Sequence, residues 1–148
     1  QLCVSACPNG VLRPSSDLST FMQPEMSFER GYCRPECVRC SEVCPAGAIS
    51  RITPADKTQY KVGLAIYEAK NCVVNTDGVK CGHCATHCPT GAIVLVPKHA
   101  GDDPNLPMTL KVPAVDESKC IGCGACEHLC PARPYSAIYV VGREEHLG

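Results

Sequence analysis

The run Cys120-Ile121-Gly122-Cys123-Gly124-Ala125-Cys126-Glu127-His128-Leu129-Cys130-Pro131 decides how this chain folds. Its spacing is C-x2-C-x2-C-x3-C-P. The two-residue gaps let three thiolates converge from one tight loop, and the three-residue gap sends the fourth elsewhere. Gly122 and Gly124 allow the backbone to come close to whatever the thiolates hold. This is the ligand spacing of a cubane iron–sulfur cluster, in which the fourth cysteine can serve a neighbouring cluster.

Three further groups carry the second half of that run. Cys33, Cys37, Cys40 and Cys44 precede Pro45; Cys72, Cys81, Cys84 and Cys88 precede Pro89; Cys3 and Cys7 precede Pro8. Each proline, like Pro131, fixes the chain as it leaves the ligand loop. Gly82 gives the third loop its close approach. Amides exposed in such loops can point at the sulfurs and offset their negative charge. Two spacings depart from the pattern. Three residues separate Cys33 from Cys37, and eight separate Cys72 from Cys81. The longer insertion, with Asn75, Asp77 and Gly78, predicts a turn before the ligand loop. Cys3 and Cys7 match the third and fourth positions of a run, so the sequence is expected to begin inside one. The alternative is a degenerate first unit with Cys3 left over.

Composition agrees. Among 148 residues there are 14 cysteines, no Trp and two Phe, with 12 Gly and 13 Pro. A core of ordinary side chains is thin for so much loop, and something must crosslink it. The net charge of −1 and the lack of a basic stripe exclude an electrostatic nucleic-acid binder. No apolar run is long enough to span a bilayer. A disulfide framework suits an even cysteine count, but it does not require repeated C-x3-C-P. Zinc uses C-x2-C pairs without the third and fourth cysteines of these runs. Covalent haem needs C-x-x-C-H, and no pair here is followed by His. A thioredoxin-type site would be a single C-x-x-C.

The repeat extends beyond the ligands. A small-residue turn and an apolar run follow each C-P: Gly10-Val11-Leu12, Gly47-Ala48-Ile49, Gly91-Ala92-Ile93-Val94 and Ser136-Ala137-Ile138-Tyr139-Val140. The predicted class is α+β, small and loop-rich, with tandem units. Leading strands are expected at 63–67 and 110–115, and trailing strands at 92–96 and 137–141. Ile49, Ile93, Ile121 and Ile138 are expected to cover cluster faces. Residues 13–31 and 97–113 read as long surface loops, able to dock a partner or to wrap over a cluster.

The four-unit series resembles polyferredoxin electron-transfer subunits. The nearest likeness is to the ferredoxin-type proteins of periplasmic nitrate reductase and methylamine utilisation, and more widely to the iron–sulfur subunits of DMSO-reductase-type enzymes. It rests on Cys33–Cys44-Pro45, on Cys72–Cys88-Pro89, and on Val115-Asp116-Glu117-Ser118-Lys119 leading into Cys120. It implies bacterial-ferredoxin-like units of short antiparallel strand pairs around 4Fe-4S ligand loops, in one domain over 1–148. The units are 1–31 (incomplete), 32–61, 62–108 and 109–148. It also implies nested ligation. Cys33, Cys37 and Cys40 would share a cluster with Cys88; Cys72, Cys81 and Cys84 with Cys44; Cys120, Cys123 and Cys126 with Cys7. Cys3 and Cys130 would be half of a fourth set. In the sequential alternative, Cys44 pairs with the first unit and Cys88 with the last.

The expected function is single-electron relay between redox partners, as a non-catalytic subunit or accessory of a bacterial respiratory oxidoreductase. Membrane quinol-oxidising or reductase subunits are the expected partners. The resemblance places the chain on the periplasmic face of the inner membrane, with the cytoplasm as the alternative, since thiolate clusters assemble under reducing conditions. The competing reading is an iron–sulfur enzyme or sensor with one substrate-accessible cluster. His83, His87 and His128 lie within ligand loops and invite it. The complete cysteine runs leave them as solvent-facing or sulfur-bonding groups instead.

Overall fold

The computed structural model describes residues 1–98 and 110–142. The helices are single turns: α1 (Leu2–Ala6), α2 (Arg39–Glu42), α3 (Val73–Thr76), α4 (His83–Thr86) and α5 (Ala125–His128). Helices this short do not persist alone in water. Each begins inside or beside a cysteine run and depends on what that run holds.

Among the described residues, six strands form three two-stranded antiparallel sheets. β1 (Leu12–Pro14) pairs with β2 (Pro24–Met26). β3 (Gly63–Tyr67) pairs with β6 (Ile138–Gly142), Gly63 facing Gly142 and Tyr67 facing Ile138. β4 (Ile93–Pro97) pairs with β5 (Lys111–Val115), Ile93 facing Val115. The strand before the third cysteine run therefore pairs with the strand after the fourth. Alternation sets the faces. In β6, Ile138 is buried at 1% exposure while Tyr139 and Val141 face outward. In β4, Ile93 is buried while Val94 and Val96 are exposed.

The core is small-residue and sulfur-rich. It gathers Ala65, Cys72, Val74, Ala92, Ile93, Leu110, Cys120, Cys126, Cys130, Ala132, Ala137 and Ile138. The aliphatic share is slight, so the thiols occupy positions that Leu or Val would fill elsewhere.

The insertion after Cys72 forms α3 rather than a simple turn. Val74 buries its side chain, and Asn75 Nδ2 donates to the Ala69 carbonyl (2.8 Å) and to the Tyr67 hydroxyl (3.2 Å). Residues 13–31 are more ordered than a surface loop. They contain most of the β1–β2 hairpin, and Phe28 is buried against the fourth cysteine run. Of the second long connection, residues 99–109 lie outside the described residues. Its flanks continue the β4–β5 ladder, with Lys98 N donating to the Leu110 carbonyl (3.0 Å).

The N-terminal part docks on the fourth run. Cys33 N donates to the Cys123 carbonyl (2.8 Å) and Val62 N to the Ile121 carbonyl (3.1 Å). Lys61 Nζ donates to the carbonyls of Glu117 (3.1 Å) and Ser118 (2.8 Å). Among the described residues no helix is long and apolar enough to cross a membrane.

Candidate iron–sulfur sites

Twelve of the fourteen cysteines line three cavities, four to each. Cys7, Cys33, Cys37 and Cys40 line the largest, of about 420 Å³. Cys72, Cys81, Cys84 and Cys130 line a second. Cys88, Cys120, Cys123 and Cys126 line a third. Cys3 and Cys44 stand outside these quartets. All fourteen thiols are free of disulfides. Among the described residues no three His, Cys, Asp or Glu side chains converge closely enough to hold a single metal ion. Thiols spread around a cavity suit the corners of a cubane better than one tetrahedral zinc.

This grouping departs from nested ligation. Cys88 stands with Cys120, Cys123 and Cys126, not with Cys33. Cys130 stands with Cys72, Cys81 and Cys84, and Cys7 with Cys33, Cys37 and Cys40. Strand pairing is the reason. With β3 joined to β6 and β4 to β5, the third and fourth loops face each other. Each fourth cysteine then crosses to its neighbour's cavity. The irregular spacings displace neither Cys33 nor Cys72, each of which lies with the two cysteines that follow it. Ile49, Ile93, Ile121 and Ile138 all line these cavities.

The C-P cysteines share one device: a backbone amide from the following turn donates to each sulfur. Val11 N reaches Cys7 Sγ at 3.3 Å, Ile49 N reaches Cys44 Sγ at 3.4 Å, Ala92 N reaches Cys88 Sγ at 3.2 Å and Ala137 N reaches Cys130 Sγ at 3.3 Å. Ala65 N adds a fifth such bond, to Cys120 Sγ at 3.4 Å. These donors stabilise a charged sulfur, as a cluster ligand requires. Burial works against the Cys7 thiolate, but the amides of Leu12, Val11, Asn9 and Gly10 outweigh it and hold that thiol below its ordinary pKa. The Ile49 amide leads the same effect at Cys44.

Five of the loop cysteines are pushed the other way. Burial is the main cause at Cys33, Cys40, Cys123 and Cys126, and it lifts Cys84 to about 11. Lys57 opposes the rise at Cys33 and Cys40. Close packing around the fourth loop depends on two glycines with positive φ. A Cβ on Gly122 would lie 2.3 Å from Gly63 N, and one on Gly124 would lie 2.0 Å from the Phe28 ring.

Residues 79–133 match the 4Fe-4S dicluster domain family. The chain is 32% identical over 151 residues to the methylamine utilization ferredoxin-type protein MauM of Methylophilus methylotrophus, covering 99% of this chain and 64% of that protein. The chain resembles ferredoxin-type 4Fe-4S proteins. It is also 33% identical over 146 residues to the ferredoxin-type protein NapG of Escherichia coli strain K12, covering 86% of this chain and 56% of that one. A shorter likeness, 37% over 70 residues, joins it to the isethionate sulfite-lyase activating enzyme of Desulfovibrio desulfuricans, covering 47% of this chain and 18% of the enzyme. The chain spans less than two thirds of the length of each of these relatives. The dicluster match and the cysteine content support 4Fe-4S clusters as the cofactor.

The three loop histidines serve other partners. His83 and His87 stack at 5.9 Å on the exposed side of α4, and His87 Nδ1 meets the His83 carbonyl at 2.9 Å. His128 Nδ1 meets the Phe28 carbonyl at 2.7 Å. None of the three lines a cysteine cavity. Two residues that sequence reasoning missed do matter. Phe28 covers the fourth loop, and its being one of two phenylalanines was the available signal. Lys57 lines the largest cavity, and nothing in its polar neighbourhood announced that.

Proposed function

We propose that this chain relays single electrons between redox partner proteins through 4Fe-4S clusters, one in each cysteine quartet, and is not catalytic by itself. The observation that carries this reading is the division of twelve cysteines into three separate quartets within one small fold. When bound, a 4Fe-4S cluster accepts and releases one electron with little movement of its ligands. The thiols of each quartet hold it, the amides donate to their sulfurs, and the surrounding isoleucines limit water. The quartets also follow an order. The hydrogen bond from Cys33 N to the Cys123 carbonyl links the Cys7 quartet to the Cys88 quartet. The packing of α4 on α5 links that one to the Cys72 quartet. Cys3 and Cys44 supply half of a fourth ligand set.

In this reading the chain is a series of tandem ferredoxin-like units at 1–31, 32–61, 62–108 and 109–148. The first works with the second and the third with the fourth. The strand pairs β3–β6 and β4–β5 and the packing of α1 on α2 support that division. The names of the ferredoxin-type relatives support electron transfer. The likeness to nitrate-reductase and methylamine proteins is the ground for placing the relay at the periplasmic face of the bacterial inner membrane, between membrane quinol-oxidising and reductase subunits.

Anaerobic purification, dithionite reduction and EPR test the reading. Several reducible, magnetically coupled clusters are expected. A single cluster with a labile iron would favour an enzyme or sensor, and zinc would exclude the relay.

A further inference from the structure

The largest cavity holds a charge that the relay reading leaves unused. Lys57 is 7% exposed and lines the wall shared with Cys7, Cys33, Cys37 and Cys40. A local turn fixes it there. Thr53 Oγ1 donates to Asp56 Oδ2 (2.6 Å), Asp56 N donates back to Thr53 Oγ1 (3.3 Å), and Lys57 N donates to the Thr53 carbonyl (3.1 Å). The neighbouring carboxylate is thus engaged by Thr53. Among the described residues no carboxylate forms a salt bridge with Lys57. Arg39 also lines the cavity, but it is exposed and paired with Glu42 at 3.4 Å.

Burying an ammonium without a counter-charge costs several kcal/mol. The counter-charge that the site offers Lys57 comes from Cys33 and Cys40, whose thiols feel its field and would be negative as cluster ligands. We propose that Lys57 is a redox-tuning residue, fixing a positive charge beside the cluster held by Cys7, Cys33, Cys37 and Cys40 and making that cluster the easiest of the three to reduce. This rests on the relay reading. Each reduction adds one electron, drawn from a reduced protein partner, and no proton need move. A cation beside the cluster favours the more negative, reduced form, so its removal lowers the potential. Among the described residues the other two cavities have no Lys or Arg in their walls. Lys57 therefore gives the relay a direction, towards the Cys7 quartet.

The test is a dithionite titration followed by EPR, with iron analysis, on anaerobically purified wild-type, Lys57→Gln, Lys57→Met and Lys57→Arg chains. Cys37→Ala identifies which signal belongs to this site. In Gln and Met at full iron content, that signal is expected to become about tenfold harder to reduce, roughly 59 mV for one electron. The other signals stay in place, and Arg holds the wild-type value. Unchanged potentials in Gln and Met overturn the role of Lys57 and leave the relay intact. Loss of iron in both, with retention in Arg, assigns the charge to cluster assembly and overturns the tuning role. Unchanged iron in Cys37→Ala overturns the relay reading at this site and the proposal with it.

Discussion

Gly124→Ala tests the packing of the fourth ligand loop most sharply. Gly124 has φ +79° and sits beneath the Phe28 ring, where an added Cβ would fall 2.0 Å from the nearest ring atom. Two effects follow. Holding an alanine in the left-handed region costs roughly 1–2 kcal/mol. The ring, 6% exposed, must move, which forfeits about 1.5–3 kcal/mol of burial. Together they predict a loss of about 2.5–5 kcal/mol. Phe28→Ala alone is expected to cost about 3–5 kcal/mol. The double variant keeps the backbone strain but has no ring to displace. It should fall short of the sum of the single effects by roughly 1.5–3 kcal/mol, the shared burial term. The assay is guanidinium unfolding of the anaerobic, cluster-loaded chain, followed by visible absorbance and circular dichroism. Additive effects, or a Gly124→Ala chain within about 0.5 kcal/mol of wild type, would refute the reasoning.

Cys88→Ala should abolish the EPR signal that Cys123→Ala also removes and spare the one removed by Cys37→Ala; the reverse would restore nested ligation. Glu127 Oε2 accepts the Val140 amide at 2.7 Å, so Glu127→Ala strands a part-buried donor and should cost about 1–3 kcal/mol in guanidinium unfolding, while Glu127→Gln, which keeps an acceptor oxygen, should cost less. The Cys84, Cys123 and Cys126 thiols carry raised pKa values, Cys84 to about 11, chiefly through burial. In the cluster-free chain they hold protons at neutral pH, and ligation must release them. Anaerobic reconstitution should therefore take up more iron as pH rises from neutral towards that value and less as it falls; uptake that is flat or falling with pH would contradict this.

The strands were legible because apolar, β-branched runs stand at a fixed offset from each C-P. Residues 63–67 were expected and found as β3, and 92–96 shifted by one residue to Ile93–Pro97. The membership of Cys33 and Cys72 in their loops was legible despite their irregular spacing. The destination of each fourth cysteine was not. Every run ends in the same C-x3-C-P, so nothing local distinguishes Cys44 from Cys88. Long-range strand register decides it, and Ile138 facing Tyr67 closes the third and fourth loops on each other. Lys57 was illegible for a different reason. The polar stretch around Asp56 reads as solvated surface, and only the Thr53–Asp56 turn carries the lysine inward. Phe28 sat in a segment rich in Ser and Pro, where burial follows from the bareness of Gly124, 96 residues away.

Iron and acid-labile sulfide, counted per chain in anaerobically purified protein, bear most directly on the central claim that sulfur-held cubes fill the three cavities. About twelve of each, four per quartet, are expected. A folded, colourless chain containing zinc or no metal would contradict it.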